Sequence, residues 1–254
     1  MNRFVTILAV IVLAAAAVAV FNKRIETMGK SRALAEWQSV RSDTSIAALQ
    51  SFLTKHRKSP FAAPAQHRLD SLRMEKAWQK ASADGTRDAL MQFISEFPSG
   101  PYASKADSLL SRSEAESDWL TAKKLNSPQA FENVISKHPG TPFAVKAESS
   151  LIALEVAGIF KRDHTLLPDA QRMTTVDSQI SVVEIENSTP YTLTIRYSGK
   201  DSKRLTLKPK ETVRTSFAVG RYKVTASANS SQVMPFASEQ VLEGGEYVSH
   251  YFIR

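Results

Sequence analysis

The side chains best suited to chemistry near neutral pH are five histidines, at positions 56, 67, 138, 164 and 250. An imidazole can ligate a metal, move a proton or activate a nucleophile. Each task needs companion residues at particular spacings, and the sequence does not supply them. There is no H-E-x-x-H, no G-x-S-x-G and no glycine-rich phosphate loop. The absence of cysteine excludes a thiol nucleophile, a thiolate metal site, a disulfide and a lipoprotein acylation site. Glu243-Gly244-Gly245-Glu246 brings two carboxylates to one turn. Calcium takes roughly six to eight oxygen ligands, so this segment reads as a polar hairpin tip. His56 and His138 have Phe97 midway between them, and a position that accepts Phe serves packing. His250 lies in a strand pattern with no carboxylate placed beside it by spacing. The expectation is no catalytic residue, no cofactor, no metal and no enzymatic activity.

Phe97 belongs to a wider register. Trp37, Trp78 and Trp119 are the three tryptophans of the chain, and they stand 41 residues apart. The same gapless shift aligns Ala48, Ala89 and Ala130, then Pro60, Pro101 and Pro142. Ala65, Ala106 and Ala147 follow, then Leu69, Leu110 and Leu151. A fixed period of this length is the mark of stacked repeats, which bury their apolar faces on neighbouring copies. Such arrays bind other molecules more often than they catalyse. A large aromatic in every copy reads as a packing wedge, and the aligned alanines as places of close helix approach.

Each period predicts a short helix and a long one. The short helices cover 45–56, 86–97 and 127–138, with Ser45, Thr86 and Ser127 as N-caps. Leu49, Phe52 and Leu53 mark one buried face by i, i+3, i+4 spacing, and Leu90, Phe93 and Ile94 repeat it. Pro60, Pro101 and Pro142 open the long helices, where a missing N–H costs nothing. Stepping one period back from Pro60 places the first long helix from about Ala19 to Arg41, with Gly29 as a bend point.

The segment Phe93-Ile94-Ser95-Glu96-Phe97-Pro98-Ser99-Gly100-Pro101-Tyr102-Ala103-Ser104-Lys105-Ala106 resembles an element of bacterial periplasmic tetratricopeptide-like proteins. These include the Tol-Pal-associated periplasmic protein and the outer-membrane assembly lipoprotein. Phe131 to Ala147 matches with His138-Pro139 in place of Phe-Pro. The resemblance covers residues 31–162. It implies an α-helical repeat array that binds protein, and it is silent on the partner. The period of 41 departs from the usual 34 of the family, and the lipid-attachment cysteine common in that company is absent.

The first residues read as a membrane segment. Phe4 to Phe21 carries no charge, follows Arg3 and is closed by Lys23 and Arg24. A helix of that length spans about 27 Å at 1.5 Å per residue, close to the bilayer core of about 30 Å. Residues 1–22 are therefore a transmembrane anchor or a signal peptide, the latter with a cleavage site near Ala19 in Ala17-Val18-Ala19. Basic residues after the span favour a cytoplasmic carboxy-terminal side by the positive-inside rule. A short basic amino-terminal segment favours export, and export is the reading adopted. The formal net charge of +8 is spread along the chain. A nucleic-acid site would concentrate it in a stripe, so none is expected.

After Arg162 the pattern changes. Residues 163–179 read as a linker, and from Ile180 apolar residues recur with period two. Seven strands are expected, at 180–187, 191–198, 203–207, 212–219, 221–228, 233–242 and 247–253. Gly244-Gly245 signals a type I′ hairpin. Gly220-Arg221-Tyr222-Lys223-Val224-Thr225-Ala226 resembles a strand of extracellular bacterial sandwich modules. The expected fold class is multidomain α plus β. An apolar helix (1–22) leads into tetratricopeptide-like repeats (23–162), a linker (163–179) and an antiparallel β-sandwich of immunoglobulin or transthyretin-like type (180–254). The expected function is a membrane-tethered scaffold with its soluble part in the bacterial periplasm, binding an envelope protein. The alternative is a cell-wall or glycan-binding protein, with the sandwich as binder and the repeats as a stalk.

Overall fold

The computed structural model describes residues 2–175 and 178–252, with side chains from residue 17 onward. The chain is α plus β, with seven helices and two sheets among the described residues. It divides into two compact units, Met1–Leu110 and Ser111–Arg254. The division falls inside a helix, not at the change of sequence pattern after Arg162. The third helix pair therefore belongs with the sheets.

The first unit opens with α1 (Asn2–Val40), helical without interruption through Gly29. Most of the apolar segment 4–21 lies outside the residues whose side chains are described. Among the described residues no helix is long and apolar enough to cross a membrane. Next come α2 (Ile46–Lys55), α3 (Ala62–Asp84) and α4 (Arg87–Glu96), followed by α5 (Ala103–Leu125), which continues into the second unit. The second unit adds α6 (Pro128–Lys137) and α7 (Pro142–Phe160).

The short helices start and stop in strict 41-residue register. Their local chemistry repeats too. Ser45, Thr86 and Ser127 accept hydrogen bonds from the backbone N–H of Ala48, Ala89 and Ala130, satisfying one orphan donor at each N-terminus. The long helices differ from expectation at their starts. Pro142 is the first residue of α7, but α3 and α5 begin two residues after Pro60 and Pro101. Thr141 explains the difference: its hydroxyl caps Ala144 N at 3.2 Å. The equivalent Ser59 hydroxyl turns to Phe61 N, and Gly100 has no side chain. Glycine also leaves room for Met74, whose Sδ would stand 2.6 Å from a Cβ at position 100.

Three small cores hold the helices. Leu49, Phe52, Ala65, Leu69 and Leu72 form the first. Ala81, Leu90, Phe93 and Ala106 form the second, and Ala122, Ala130, Phe131, Val134, Ala147 and Leu151 the third. Burial of Phe52, Phe93 or Phe131 contributes about 1.5–3 kcal/mol each.

The sheets hold nine strands: β1 (Thr165–Leu166), β2 (Gln171–Arg172), β3 (Ile180–Asn187), β4 (Leu193–Gly199), β5 (Ser202–Leu207), β6 (Thr212–Ala218), β7 (Gly220–Ala228), β8 (Phe236–Leu242) and β9 (Gly245–Tyr251). One sheet runs β1-β8-β7-β4-β5, the other β2-β9-β3-β6. Their inward residues meet in one core that includes Val183, Ile185, Ile195, Tyr197, Phe217 and Tyr222.

Three expectations are corrected here. The sheets are mixed, not antiparallel: β3 pairs with β9 in parallel, as β1 does with β8. β3 and β9 are far apart in sequence, which leaves room for the crossover that parallel neighbours require. The stretch 163–179 is not a plain linker. It supplies β1 and β2, which pair with two residues each of β8 and β9, and buries Leu167 in the core. Gly244-Gly245 is not a hairpin, because β8 and β9 lie in different sheets. Both glycines have positive φ, 90° and 89°, but they form a corner between sheets. A Cβ on Gly245 would stand 2.2 Å from the Thr174 carbonyl oxygen, so close backbone approach as well as φ requires glycine there.

The opposite side of the module is closed by side chains. Lys203 of β5 donates to Thr215 Oγ1 and Ser216 O of β6, at 2.8 and 2.6 Å. Asp201 accepts from Ala218 N at 2.6 Å, and the Tyr222 hydroxyl donates to Ala218 O at 2.7 Å.

Helix α7 belongs to two layers. Ala147 and Leu151 pack with α6. Its later stretch lies on β4, β5 and β7, where Ile152, Val156 and Ile159 are buried. Glu155 Oε2 accepts from Arg196 Nε of β4 at 2.5 Å and stands 2.7 Å from Arg204 Nη2 of β5. Lys223 of β7 lies over the Phe160 ring, 5.2 Å from its centroid.

Candidate functional site

The repeated tryptophans are half-buried against neighbouring helices. Trp37 meets Phe52 at 5.8 Å and stacks on Phe61 at 6.5 Å. Trp78 meets Phe93 at 5.5 Å and stacks on Tyr102 at 5.3 Å. Trp119 meets Phe131 at 5.9 Å. Each indole thus bridges a long helix to the short helix that follows. Ala65, Ala106 and Ala147 are fully buried, Leu69 and Leu151 nearly so, and Leu110 is half-buried. Pro60 and Pro101 sit in turns, and Pro142 heads a helix.

Two of the histidines hold carboxylates that the sequence reading did not assign to them. His56 Nε2 lies 2.9 Å from Glu36 Oε2, and His138 Nε2 lies 2.8 Å from Asp118 Oδ2. These pairs are repeat-equivalent. The middle copy has Ala77 and Phe97 in the same places, with the Phe97 ring 5.4 Å from Phe93. The 41-residue shift contained this signal: the acid column changes to alanine in the copy where the histidine column changes to phenylalanine. Hydrogen bonding from His56 holds the Glu36 carboxyl below its ordinary value. Hydrogen bonds from Lys137 and His138 do the same for Asp118. An ionised carboxylate only accepts, so Nε2 carries a proton in both imidazoles.

A carboxylate-oriented imidazole is also how a general base is held. Here the His56 and His138 side chains are only 14% and 9% exposed, and each bonds through Nε2 to its own repeat. The Phe52 ring lies 5.0 Å from His56. This geometry fastens the end of a short helix to the long helix before it. Among the described residues, no group of three or more His, Asp or Glu side chains could hold a metal ion. His250 also finds a carboxylate, Glu186 at 2.9 Å, brought opposite by the β3–β9 register. No sequence spacing could reveal that pair.

The repeats also carry a recurring groove between a long helix and the next short one. In the second unit it holds about 410 Å³, with Asp118, Thr121, Ala122, Ala130, Asn133, Val134 and Lys137 among its lining. In the first unit a groove of about 180 Å³ is lined by Ala77, Lys80, Ala81, Ala89, Gln92, Phe93 and Glu96. These are the same seven positions, one period apart. Ala81 and Ala122 are nearly buried with Phe93 and Val134, giving each groove an apolar floor. Its sides carry an amide, Gln92 or Asn133, and charged groups. The first copy has Val40 where these have alanine, and Val40 packs into its core instead. Small side chains open the groove, and the amides offer the donor and acceptor that a peptide group needs. No family model, no curated protein and no solved structure matches the chain.

Proposed function

We propose that this protein is a non-enzymatic scaffold of the bacterial envelope. A tetratricopeptide-like helical array binds a segment of a partner protein, and the third helix pair carries a β-sandwich. The observation that supports it best is the groove that recurs at identical repeat positions, with an apolar floor and an amide on its side. An immunoglobulin domain orders its strands ABED and CFG. Here the first long strand pairs with the fourth and the seventh, which favours the transthyretin-like form of the sandwich. The tether to the inner membrane, with the soluble part in the periplasm, rests on the uncharged segment Phe4 to Phe21.

The test uses the full chain in bacterial cells, with a photo-crosslinking amino acid at Gln92 or Asn133. The expected result is a discrete adduct with an envelope protein, lost when Ala81→Trp or Ala122→Trp fills the groove. Adducts that form only from positions on the sheets, or that survive both substitutions, would overturn the reading. A reporter fused after Arg254 checks the compartment.

A further inference from the structure

The inward residues of β7 shrink along the strand, from Tyr222 and Val224 to Ala226 and Ala228. Tyr197, Phe217 and Tyr222 fill one part of the space between the sheets with rings 4.4–6.3 Å apart. The alanines leave the other end open, as a cleft of about 320 Å³. That lies within the range of about 300–1,000 Å³ in which small-molecule sites fall. Leu167, Leu193, Ala226, Phe236 and Tyr251 form its wall, and all five belong to or pack on the core between the sheets.

Asn187, fully buried, fixes this end of the module. Its Nδ2 donates to the carbonyls of Tyr191, Leu207 and Lys208 at 2.8, 3.0 and 3.0 Å. Its Oδ1 accepts from Thr189 N and Oγ1 at 3.0 and 2.7 Å. Ser188 N donates to Tyr251 O, which ties the same loop to the end of β9. An opening fixed in advance loses little freedom when a ligand enters.

The interior of the cleft carries no charge. Alternation along β9 turns Tyr247, Ser249 and Tyr251 inward and His250 to the outer face, where it bonds to Glu186 at 2.9 Å. The Thr189 hydroxyl is engaged as well, donating to Asn187 Oδ1 and accepting from Tyr191 N. Burial pushes the Tyr251 phenol well above its ordinary value, so it is neutral. The lip is apolar too. Leu166 and Phe252 are 77% and 55% exposed there, and Met234, next to Val233 of the lining, is exposed beside them. Exposed apolar side chains gathered at one opening mark a ligand groove more often than a bare surface. A sugar would find few hydrogen-bond partners against this wall. A peptide would leave its N–H and C=O groups unpaired, and a carboxylate would leave water with no cation of the lining to meet it. A hydrocarbon chain gives up nothing polar on entry. We propose that the cleft binds an uncharged molecule built on a single hydrocarbon chain, which lies between the sheets and ends at the apolar lip. This goes beyond the repeat-groove reading and uses none of the same residues.

The chain has no cysteine, so Ala228→Cys supplies a single thiol in the half-buried lining. The test follows its alkylation by a maleimide in the full chain, read by intact mass, with decanol, monodecanoylglycerol, decanoate or an apolar hexapeptide present. Ser216→Cys, exposed on the other sheet, is the control. The expected result is a saturable slowing of at least tenfold by decanol at position 228, with no change at position 216. Decanoate should need at least tenfold more ligand for the same protection. Ala226→Leu, which fills the cleft, should remove the protection. Should that variant fail to fold, Val233→Trp, in the turn at the opening, carries the same comparison. Protection by decanol alone and protection by monodecanoylglycerol as well both bear the proposal out, and the difference tells a free molecule from the chain of a lipid. The proposal is overturned by any of four results: no saturable protection, protection that survives cleft filling, decanoate as effective as decanol, or protection by the hexapeptide alone.

Discussion

In the helical pairs, every buried cluster draws on helices that follow one another: α1 to α3, α3 to α5, and α5 to α7. In the β module, a single cluster of 13 buried residues draws on both sheets, and its first long strand pairs with its last. Neighbour-only contacts let a repeat array lose one copy at a time. A shared core assembled from distant strands has no part that stands alone. The two regions should therefore answer equal damage differently.

The largest effect is expected in the module. Ile195→Ala, at a fully buried site, should cost about 4 kcal/mol. Hydrogen exchange should show protection falling in all the long strands together. Leu90→Ala, also fully buried, should cost about 3 kcal/mol. Its loss of protection should stay within α3, α4 and the first half of α5. Uniform loss across the first unit would break the comparison. Next is Gly245→Ala, which combines a positive φ with backbone contact at Thr174. Denaturant unfolding should show a loss of about 3 kcal/mol, carried by the module transition alone.

Glu155→Ala tests the seam between α7 and the sheet. It strips two half-buried arginines of their shared partner and should cost about 2 kcal/mol. Glu155→Leu should recover part of that loss if packing dominates the seam, which a melting series would show. The smallest effect is electrostatic. The Asp118 carboxyl titrates below its ordinary value of 3.8 in the folded chain. Its contribution is complete above that value and is lost as pH falls through the lower folded one. For a carboxylate about a third exposed it amounts to less than about 1 kcal/mol. Importing the middle copy's residues, Asp118→Ala with His138→Phe, should flatten this acid slope with little change at neutral pH.

Local signals were the legible ones. Ser45, Thr86 and Ser127 announce helix starts because a cap acts within three residues. The 41-residue shift carried them from copy to copy. Strand β3 was placed to the residue because alternation is a property of neighbours in sequence. What stayed hidden depends on distance. Gly244-Gly245 has the φ of a hairpin, but whether flanking strands pair is decided by the whole sheet. The segment 163–179 lacks periodicity because its strands are two residues long, too short to alternate. Glu155 shows no sign in sequence that Arg196 and Arg204 await it. The acid–histidine pairs lie between these cases: they were written in the register, in columns that change together.

The Lys203 and Asp201 contacts on one side of the module and the short strands β1 and β2 on the other have a consequence for recruitment. A partner that would extend either sheet by adding a strand finds part of each edge already engaged, by two-residue strands on one side and by side-chain contacts on the other. That leaves the faces and the ends of the module as the surfaces most open to a partner, where recognition runs through side chains and shape and is more selective than backbone pairing.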